Sequence, residues 1–183
     1  NFGNSERILG KALEKMNRED VVIITKCGVV WDQEMKGDLF NKVNGIQLYK
    51  NLNSDSIKRE IEESLKRMGT DYVDVYMTHW QSIEGSEYYV PIQKTMEVLN
   101  DLKAQGKIKA IGAANVDIKQ IQEYLKYGEL DIVQAKYSIL DRGIEDEIIP
   151  CCRENGVTIQ AYSPLEMGLL SGTMPRDYMP VGA

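Results

Sequence analysis

Lys26, His79 with Trp80, Asn115, Gln134 with Lys136 and Tyr137, and Tyr162 with Ser163 all end or follow short apolar runs. His79 is the sole histidine of 183 residues. The set holds no Asp or Glu. Divalent-metal chemistry needs carboxylates or several imidazoles, so no metal site is expected. Glycoside hydrolysis by paired carboxylates is disfavoured on the same ground. An ammonium, an imidazole, two carboxamides and aromatic rings remain. They suit a carbonyl oxygen gaining negative charge and a planar, amide-bearing cofactor. Each residue also has a plainer reading. Lys26 reads equally as a solvated strand-end lysine, Tyr162 as a rim aromatic, and Trp31 as packing that pins a polar loop. Asn115 precedes a helix and Gln134 ends a strand, so both could cap backbone groups.

The elements that must position these residues follow from periodicity. A helix is expected from Ser5 to about Met16, capped by Asn4 or Ser5, with Leu9, Ala12, Leu13 and Met16 on its apolar face. Val21 to Thr25 reads as a strand ending in Lys26-Cys27-Gly28. Residues 29–53 read as a long loop, and loops of that length are often functional. Ser54 caps a helix whose Ile57, Ile61, Leu65 and Met68 form a stripe ending at Gly69. In the run from Tyr72 to Trp80, Val73, Val75 and Met77 alternate with Asp74, Tyr76 and Thr78, which predicts a buried strand with His79 at its carboxyl end. A loop from Gln81 to Val90 leads to a helix from about Pro91 to Gly106. Ala110–Ala113, Ile132–Tyr137 and Val157–Ala161 read as strands. Helices are expected from Val116 or Asp117 to Gly128 and from about Gly143 to Asn155. The tail from Gly168 reads as loop. Glu60, Glu62 and Glu63 read as solvated helix surface, and Cys151 and Cys152 as helix residues with nothing near them to depress a thiol pKa.

This strict alternation, with no hairpin expected, means a parallel sheet flanked by helices. A dinucleotide-binding open sheet would show G-x-G-x-x-G after a strand, and none is present. A (β/α)8 TIM-type barrel is therefore favoured over a doubly wound sheet. About five strands and five helices are visible, where a closed barrel needs eight strands in typically about 250 residues. The expectation is one partial barrel domain over residues 1–183, in a chain that begins without Met and reads as a piece of a longer one. Hydrophobic content of 43% and charged content of 27% allow a sizeable core. A net charge of −6 argues against a nucleic-acid partner. No apolar run reaches membrane length, and the first residues show no signal-peptide pattern, so none is expected. Three cysteines, two of them adjacent, make neither a disulfide framework nor a zinc site. A reducing compartment, the cytoplasm, is expected.

Several segments in order carry a family resemblance: Gly3 to Glu6 as G-x-S-E, Ile-Thr-Lys26, Tyr-Val-Asp-Val-Tyr-Met-Thr-His79-Trp80, Gly-Lys-Ile-Lys-Ala-Ile-Gly112-Ala-Ala-Asn115, Gln134 in a strand ending Tyr137-Ser138, and Ala-Tyr162-Ser-Pro-Leu165. Together they cover essentially the whole chain, and it resembles an aldo-keto reductase. The resemblance implies a (β/α)8 barrel binding NADPH in extended form, and reversible reduction of an aldehyde or ketone to an alcohol. It implies an Asp, Tyr, Lys and His set in which Tyr is the general acid. Lys26 would lower that tyrosine's pKa, and His79 would orient the substrate carbonyl. Asn115 and Gln134 would hold the nicotinamide carboxamide and Tyr162 would stack on its ring. Ser163, Leu165 and Gly168 would lie near the pyrophosphate, and Trp31 and Trp80 would wall the substrate pocket.

Three departures stand out. The family's Tyr falls immediately before Asn1 and its Asp a few residues earlier. The last two barrel strands, with the residues that grip the adenosine 2′-phosphate, fall beyond Ala183, so NADH stays open beside NADPH. Ala114 stands where the family usually has Ser. The 183 residues alone are expected to be inactive, and the sequence assigns no oligomeric state. Two other classes remain in view: a non-catalytic, cofactor-binding regulatory subunit on the same fold, and a Schiff-base aldolase barrel using Lys26.

Overall fold

The computed structural model describes residues 2–31, 36–173 and 175. Its main sheet has five parallel strands: β1 (Ile24–Cys27), β5 (Val73–Thr78), β6 (Ile108–Ala114), β7 (Ile132–Lys136) and β8 (Thr158–Tyr162). They stand side by side in sequence order, separated by α2 (Ser54–Met68), α3 (Ile92–Ala104), α4 (Ile118–Tyr127) and α5 (Ile148–Glu154). A doubly wound sheet reverses its strand order at a switch point, whereas a (β/α)8 barrel does not. This sheet is five consecutive strands of such a barrel wall.

The helices are set by local chemistry. Asn53, not Ser54, caps α2: its side chain accepts from Ser56 N at 2.8 Å, and Gly69 ends the helix in the left-handed region (φ 67°). Asp117 and Gln120 form a reciprocal capping box on α4. Pro91 is the cap of α3 rather than its first helical residue. Helix α1 (Asn4–Leu13) stops short of Met16, because Lys15 and Met16 fold back onto Ala12 and Leu13 in tight turns. Met16 is exposed, not part of an apolar face. Helix α5 is seven residues long, not a helix from Gly143. Pro150 is the reason: it has no N–H for the turn before it and is tolerated only in a first turn, so the helix starts at Ile148. Strand β1 pairs with β5 only from Ile24 onward, because the Ile23 N–H goes instead to the Asp74 carboxylate.

The segment expected to be a loop between β1 and α2 forms a second sheet. Its strands are β2 (Val29–Val30), β3 (Asp38–Val43) and β4 (Ile46–Lys50), antiparallel in the order β2-β4-β3. Strands β3 and β4 are a hairpin, contrary to the expectation that none exists. Asn44 (φ 51°) and Gly45 (φ 83°) are both left-handed at its turn, the geometry that two-residue hairpins require.

The main core lies between the helices and one face of the parallel sheet, around Tyr76, Ile111, Val133, Ile57, Ile61 and Leu99. Ile23 belongs to this helix-side core, with Val21 packed against it, rather than to the opposite, barrel-interior face. That interior face carries only a small cluster, Val75, Met77 and Ala114, flanked by Ile24, Ala110 and Ile132.

Candidate active site

Strand register builds the site in rows on the interior face. Lys26, Met77, Gly112, Ile132 and Thr158 are successive partners across all five strands. A side chain at Gly112 would meet Met77, whose methyl carbon comes within 2.8 Å of where its Cβ would stand. Two residues further along, Ala114, Gln134 and Gln160 form the next row, and Lys136 and Tyr162 the last pairing. His79 follows β5, its N–H donating to Cys27 O at 2.9 Å. The carboxyl ends of the strands thus bring Lys26, His79, Asn115, Gln134 and Tyr162 to one edge.

A line of hydrogen bonds joins several of these groups. The Tyr162 hydroxyl donates to Asn115 Oδ1 at 2.8 Å, and Asn115 Nδ2 donates to the His79 carbonyl at 3.0 Å. Gln134 Nε2 donates to Gln160 Oε1 at 2.7 Å. Asn115 N donates to Gln134 O, with Asn115 itself left-handed at φ 55°. Asn tolerates that conformation better than most residues, so the type fits the turn that swings its amide toward His79. Ser163 is left-handed too, at φ 53°.

Burial lowers the pKa of the Lys26 ammonium. It lowers that of His79 below the ordinary 6.5, and the Lys26 charge pushes it further in the same direction. At neutral pH the imidazole is therefore uncharged, able to donate one hydrogen bond and accept another.

Lys26 lines a cleft of about 400 Å³ with Phe2, Glu6, Trp31, Glu60 and Arg67. Trp31 meets Phe2 edge-on at 5.6 Å between ring centroids. Trp80 lies elsewhere, 5.7 Å from Phe40, with the Lys50 ammonium 4.9 Å from its ring. The two tryptophans thus stand in different surroundings. Lys136 points away from the strand-end cluster, into ion pairs with Asp141 and Glu166 at 3.1 Å each. Leu165 and Gly168 lie in the turn after β8, where Leu165 O accepts from Gly168 N at 3.0 Å, and Leu165 is 55% exposed.

Glu60 is not solvated surface. Gly28 N and the Ser56 hydroxyl both donate to its carboxylate at 3.0 Å, and burial raises its pKa to about 7. Its neighbours do pair on the outside: Glu62 with Lys107, and Glu63 with Arg59 and Arg67. Gln160 is a third carboxamide that the sequence reading passed over; it lies two residues before Tyr162, so strand parity alone would have found it. Burial raises the Cys152 thiol to about 11, as an inert helix cysteine requires. Among the described residues no group of three His, Cys, Asp or Glu could hold a metal ion, and no helix is long and apolar enough to cross a membrane.

These groups fit a nicotinamide. Asn115, just past β6, and Gln134 and Gln160, on β7 and β8, place amide donors and acceptors side by side. Asn115 keeps a second N–H and a second lone pair beyond the bonds it makes in the fold.

Known proteins resemble this chain in sequence and in fold. A reductase from Escherichia coli K12, named for specificity toward NADH and for methylglyoxal, is 62% identical over 183 residues, covering 100% of this chain and 55% of the relative. A solved glycerol dehydrogenase from Gluconobacter oxydans superposes with a TM-score of 0.85 at 27% identity, over 98% of this chain and 51% of that one. An aldo-keto reductase from Klebsiella pneumoniae, solved in complex with NADPH, superposes with a TM-score of 0.70 at 28% identity, over 93% of this chain and 52% of that one. The chain spans about half the length of the curated relatives it matches. Residues 1–182 match the sequence pattern of the aldo/keto reductase family, and with the strand order and the strand-end cluster the chain belongs to that family.

Proposed function

We propose that the whole protein reduces a small aldehyde or ketone reversibly to the alcohol with a reduced nicotinamide dinucleotide, and that Lys26 and His79 act at the carbonyl while Asn115, Gln134 and Tyr162 hold the nicotinamide. The observation that carries this reading is the hydrogen-bonded line Tyr162–Asn115–His79 at the strand edge that also presents Lys26. The bound dinucleotide supplies hydride. The chain's own residues supply position and charge. Neutral His79 can donate to a carbonyl oxygen without giving up its proton, and the Lys26 ammonium favours negative charge developing beside it. Ser163, Leu165 and Gly168 are assigned to the pyrophosphate, Trp31 and Trp80 to the substrate wall.

For the dinucleotide, the relative at 62% identity favours NADH over the NADPH implied by the family resemblance. That relative's name also makes a 2-oxoaldehyde such as methylglyoxal the first substrate to try. The assay is full-length protein with methylglyoxal and a panel of simple aldehydes, following loss of NADH and NADPH absorbance separately. Turnover with either is expected. Tight dinucleotide binding without turnover on any carbonyl would favour the regulatory-subunit reading, and a borohydride-trapped adduct on Lys26 the aldolase.

A further inference from the structure

Below the strand ends lies a polar cluster that the functional reading leaves unused. Thr78, Gln81 and Tyr124 are buried side chains from β5, the loop after it, and α4. The Tyr124 hydroxyl donates to Gln81 Oε1 at 2.7 Å, and Gln81 Nε2 donates to Thr78 Oγ1 at 3.0 Å. Thr78 Oγ1 and the Tyr124 oxygen are 3.0 Å apart. The tyrosine proton is already committed to Gln81, so Thr78 must be the donor in that last contact. The three groups then close a ring in which each donates one proton and accepts one. The opposite sense of circulation would need the Gln81 amide flipped. That would turn its oxygen toward the Ala114 carbonyl, which Nε2 faces at 3.5 Å. The Ala114 carbonyl therefore fixes the amide and the direction of the ring.

The ring's place in the chain gives it consequence. Thr78 and Gln81 bracket His79 and Trp80, so the ring clamps both ends of the segment that carries the imidazole. Ala114 precedes Asn115, whose amide holds the His79 carbonyl and receives the Tyr162 hydroxyl. Hydrogen bonds run from α4 through the ring to the Ala114 carbonyl, and others from Tyr162 through Asn115 to the His79 carbonyl; the chain itself joins the two sets, at Ala114–Asn115 and between Thr78 and Gln81. We propose that Gln81, locked into a ring with Thr78 and Tyr124, is the positioning residue that sets His79 and, through Ala114 and the His79 carbonyl, the Asn115 amide. The proposal deepens the carbonyl-reductase reading and rests on it for its effect on turnover. The ring is buried among protein groups, so it acts only through His79 and Asn115.

The test must separate positioning from stability, because any single truncation leaves buried polar groups unpaired and costs stability for that reason alone. The informative protein is the full-length triple variant Thr78→Val, Gln81→Leu, Tyr124→Phe, which removes all three ring partners together and costs otherwise only the 3.5 Å contact to the Ala114 carbonyl. Thr78→Ser, which keeps the hydroxyl, is its conservative control. The first readout is the titration of the His79 imidazole by NMR. Wild type and Thr78→Ser should titrate below 6.5, the ordinary histidine value from which His79 is lowered. The triple variant should move back toward it as the imidazole leaves its half-buried place beside Lys26. The second readout is kinetic. At matched folded fraction the triple variant should lose kcat by ~10-fold or more, a modest fraction of what an ångström of misplacement can cost. Its dinucleotide Kd should rise as Asn115 shifts, and Thr78→Ser should keep both at wild-type values. An unchanged His79 titration in a folded triple variant overturns the proposal, whatever turnover does. A wild type that neither binds a dinucleotide nor reduces a carbonyl overturns the functional reading instead, and the titration still decides the ring.

Discussion

The two faces of the parallel sheet divide the work of the molecule. Toward the helices, Tyr76, Ile111, Ala113 and Val133 are wholly out of solvent and meet the apolar stripes of α2, α3 and α4. On the interior face the same strands, one residue out of phase, present Lys26, Met77, Gly112, Gln134 and Gln160, with only a small apolar cluster beneath them. Period-two alternation therefore separates what holds the sheet from the groups proposed to act at the carbonyl and the cofactor. Substitutions on the helix side should change stability and leave chemistry per folded molecule alone. Those on the interior face should do the reverse.

The largest effect is expected on the helix side. Ile111→Ala removes a fully buried side chain from β6 and should destabilise the full-length protein by about 2–5 kcal/mol, the range for such truncations in cores that relax only partly. Denaturant unfolding measures the loss. With the assay held where the variant is folded, kcat should match wild type. A tenfold drop in kcat per folded molecule would break the division between the faces.

Glu60 tests the same division from its exception, since it is a carboxylate on α2 in part-buried surroundings. Its pKa rises from the ordinary 4.5 to about 7 on folding, so between those values the folded chain binds more protons than the unfolded one. Stability therefore falls as pH rises through that window and is flat above it. The full effect is up to about 3 kcal/mol. Glu60→Gln keeps the shape and an acceptor for Gly28 N. It should be more stable than wild type at about pH 8 and indistinguishable near pH 4. His79, with its lowered pKa, contributes the opposite slope, but it is present in both proteins and cancels in the difference. Equal melting temperatures across the range would show that the cleft solvates the Glu60 carboxylate.

On the interior face the sign of the stability effect should invert. Lys26→Met should lower kcat about 10²-fold, or about 2.7 kcal/mol in the barrier, the scale of a lost charge-stabilising donor. Burial lowers the Lys26 pKa, so the charged ammonium costs folding free energy. The variant should be as stable as wild type or more so. Near-wild-type kcat would remove Lys26 from the chemistry.

What the sequence disclosed follows the same division. The five parallel strands and the helices between them were legible because each buries an apolar face of the right period, and the strand-end cluster because strand ends are easy to place once the strands are. The antiparallel excursion was not, since β3 is mostly exposed and has no apolar alternation to betray it. Its signal is local, the Asn44-Gly45 pair at the turn, inside a segment whose length and polarity read as loop. Pro150 was an equally local marker that the last helix had to start late. Glu60 looked like its exposed neighbours Glu62 and Glu63 because helix phase decides its burial, and the phase becomes visible only when Ser56 and Gly28 are seen to turn toward it. The Thr78–Gln81–Tyr124 ring had no signal at all in one dimension: a Gln three residues past a strand and a Tyr in an amphipathic helix become partners only when the fold joins them.

The smallest expected effect asks whether the Tyr162 ring or its hydroxyl matters to the interior face. Tyr162→Ala removes both, and should weaken dinucleotide binding by about 1 kcal/mol, the scale of an aromatic contact. That is about a fivefold rise in Kd by fluorescence titration. Tyr162→Phe keeps the ring and deletes only the 2.8 Å bond to Asn115 Oδ1. If stacking is the contribution, the Phe variant binds like wild type, and only the Ala variant weakens. If the hydroxyl's hold on Asn115 is the contribution, Phe and Ala weaken alike, because the Asn115 amide is then free to turn and its second N–H no longer points where a carboxamide would meet it. Neither variant should lower the melting temperature by more than a few degrees, since Tyr162 lies at the sheet's edge strand and is not among the residues of the helix-side core. Unchanged affinity in both would make Tyr162 a rim aromatic. The nicotinamide site would then rest on Asn115, Gln134 and Gln160 alone.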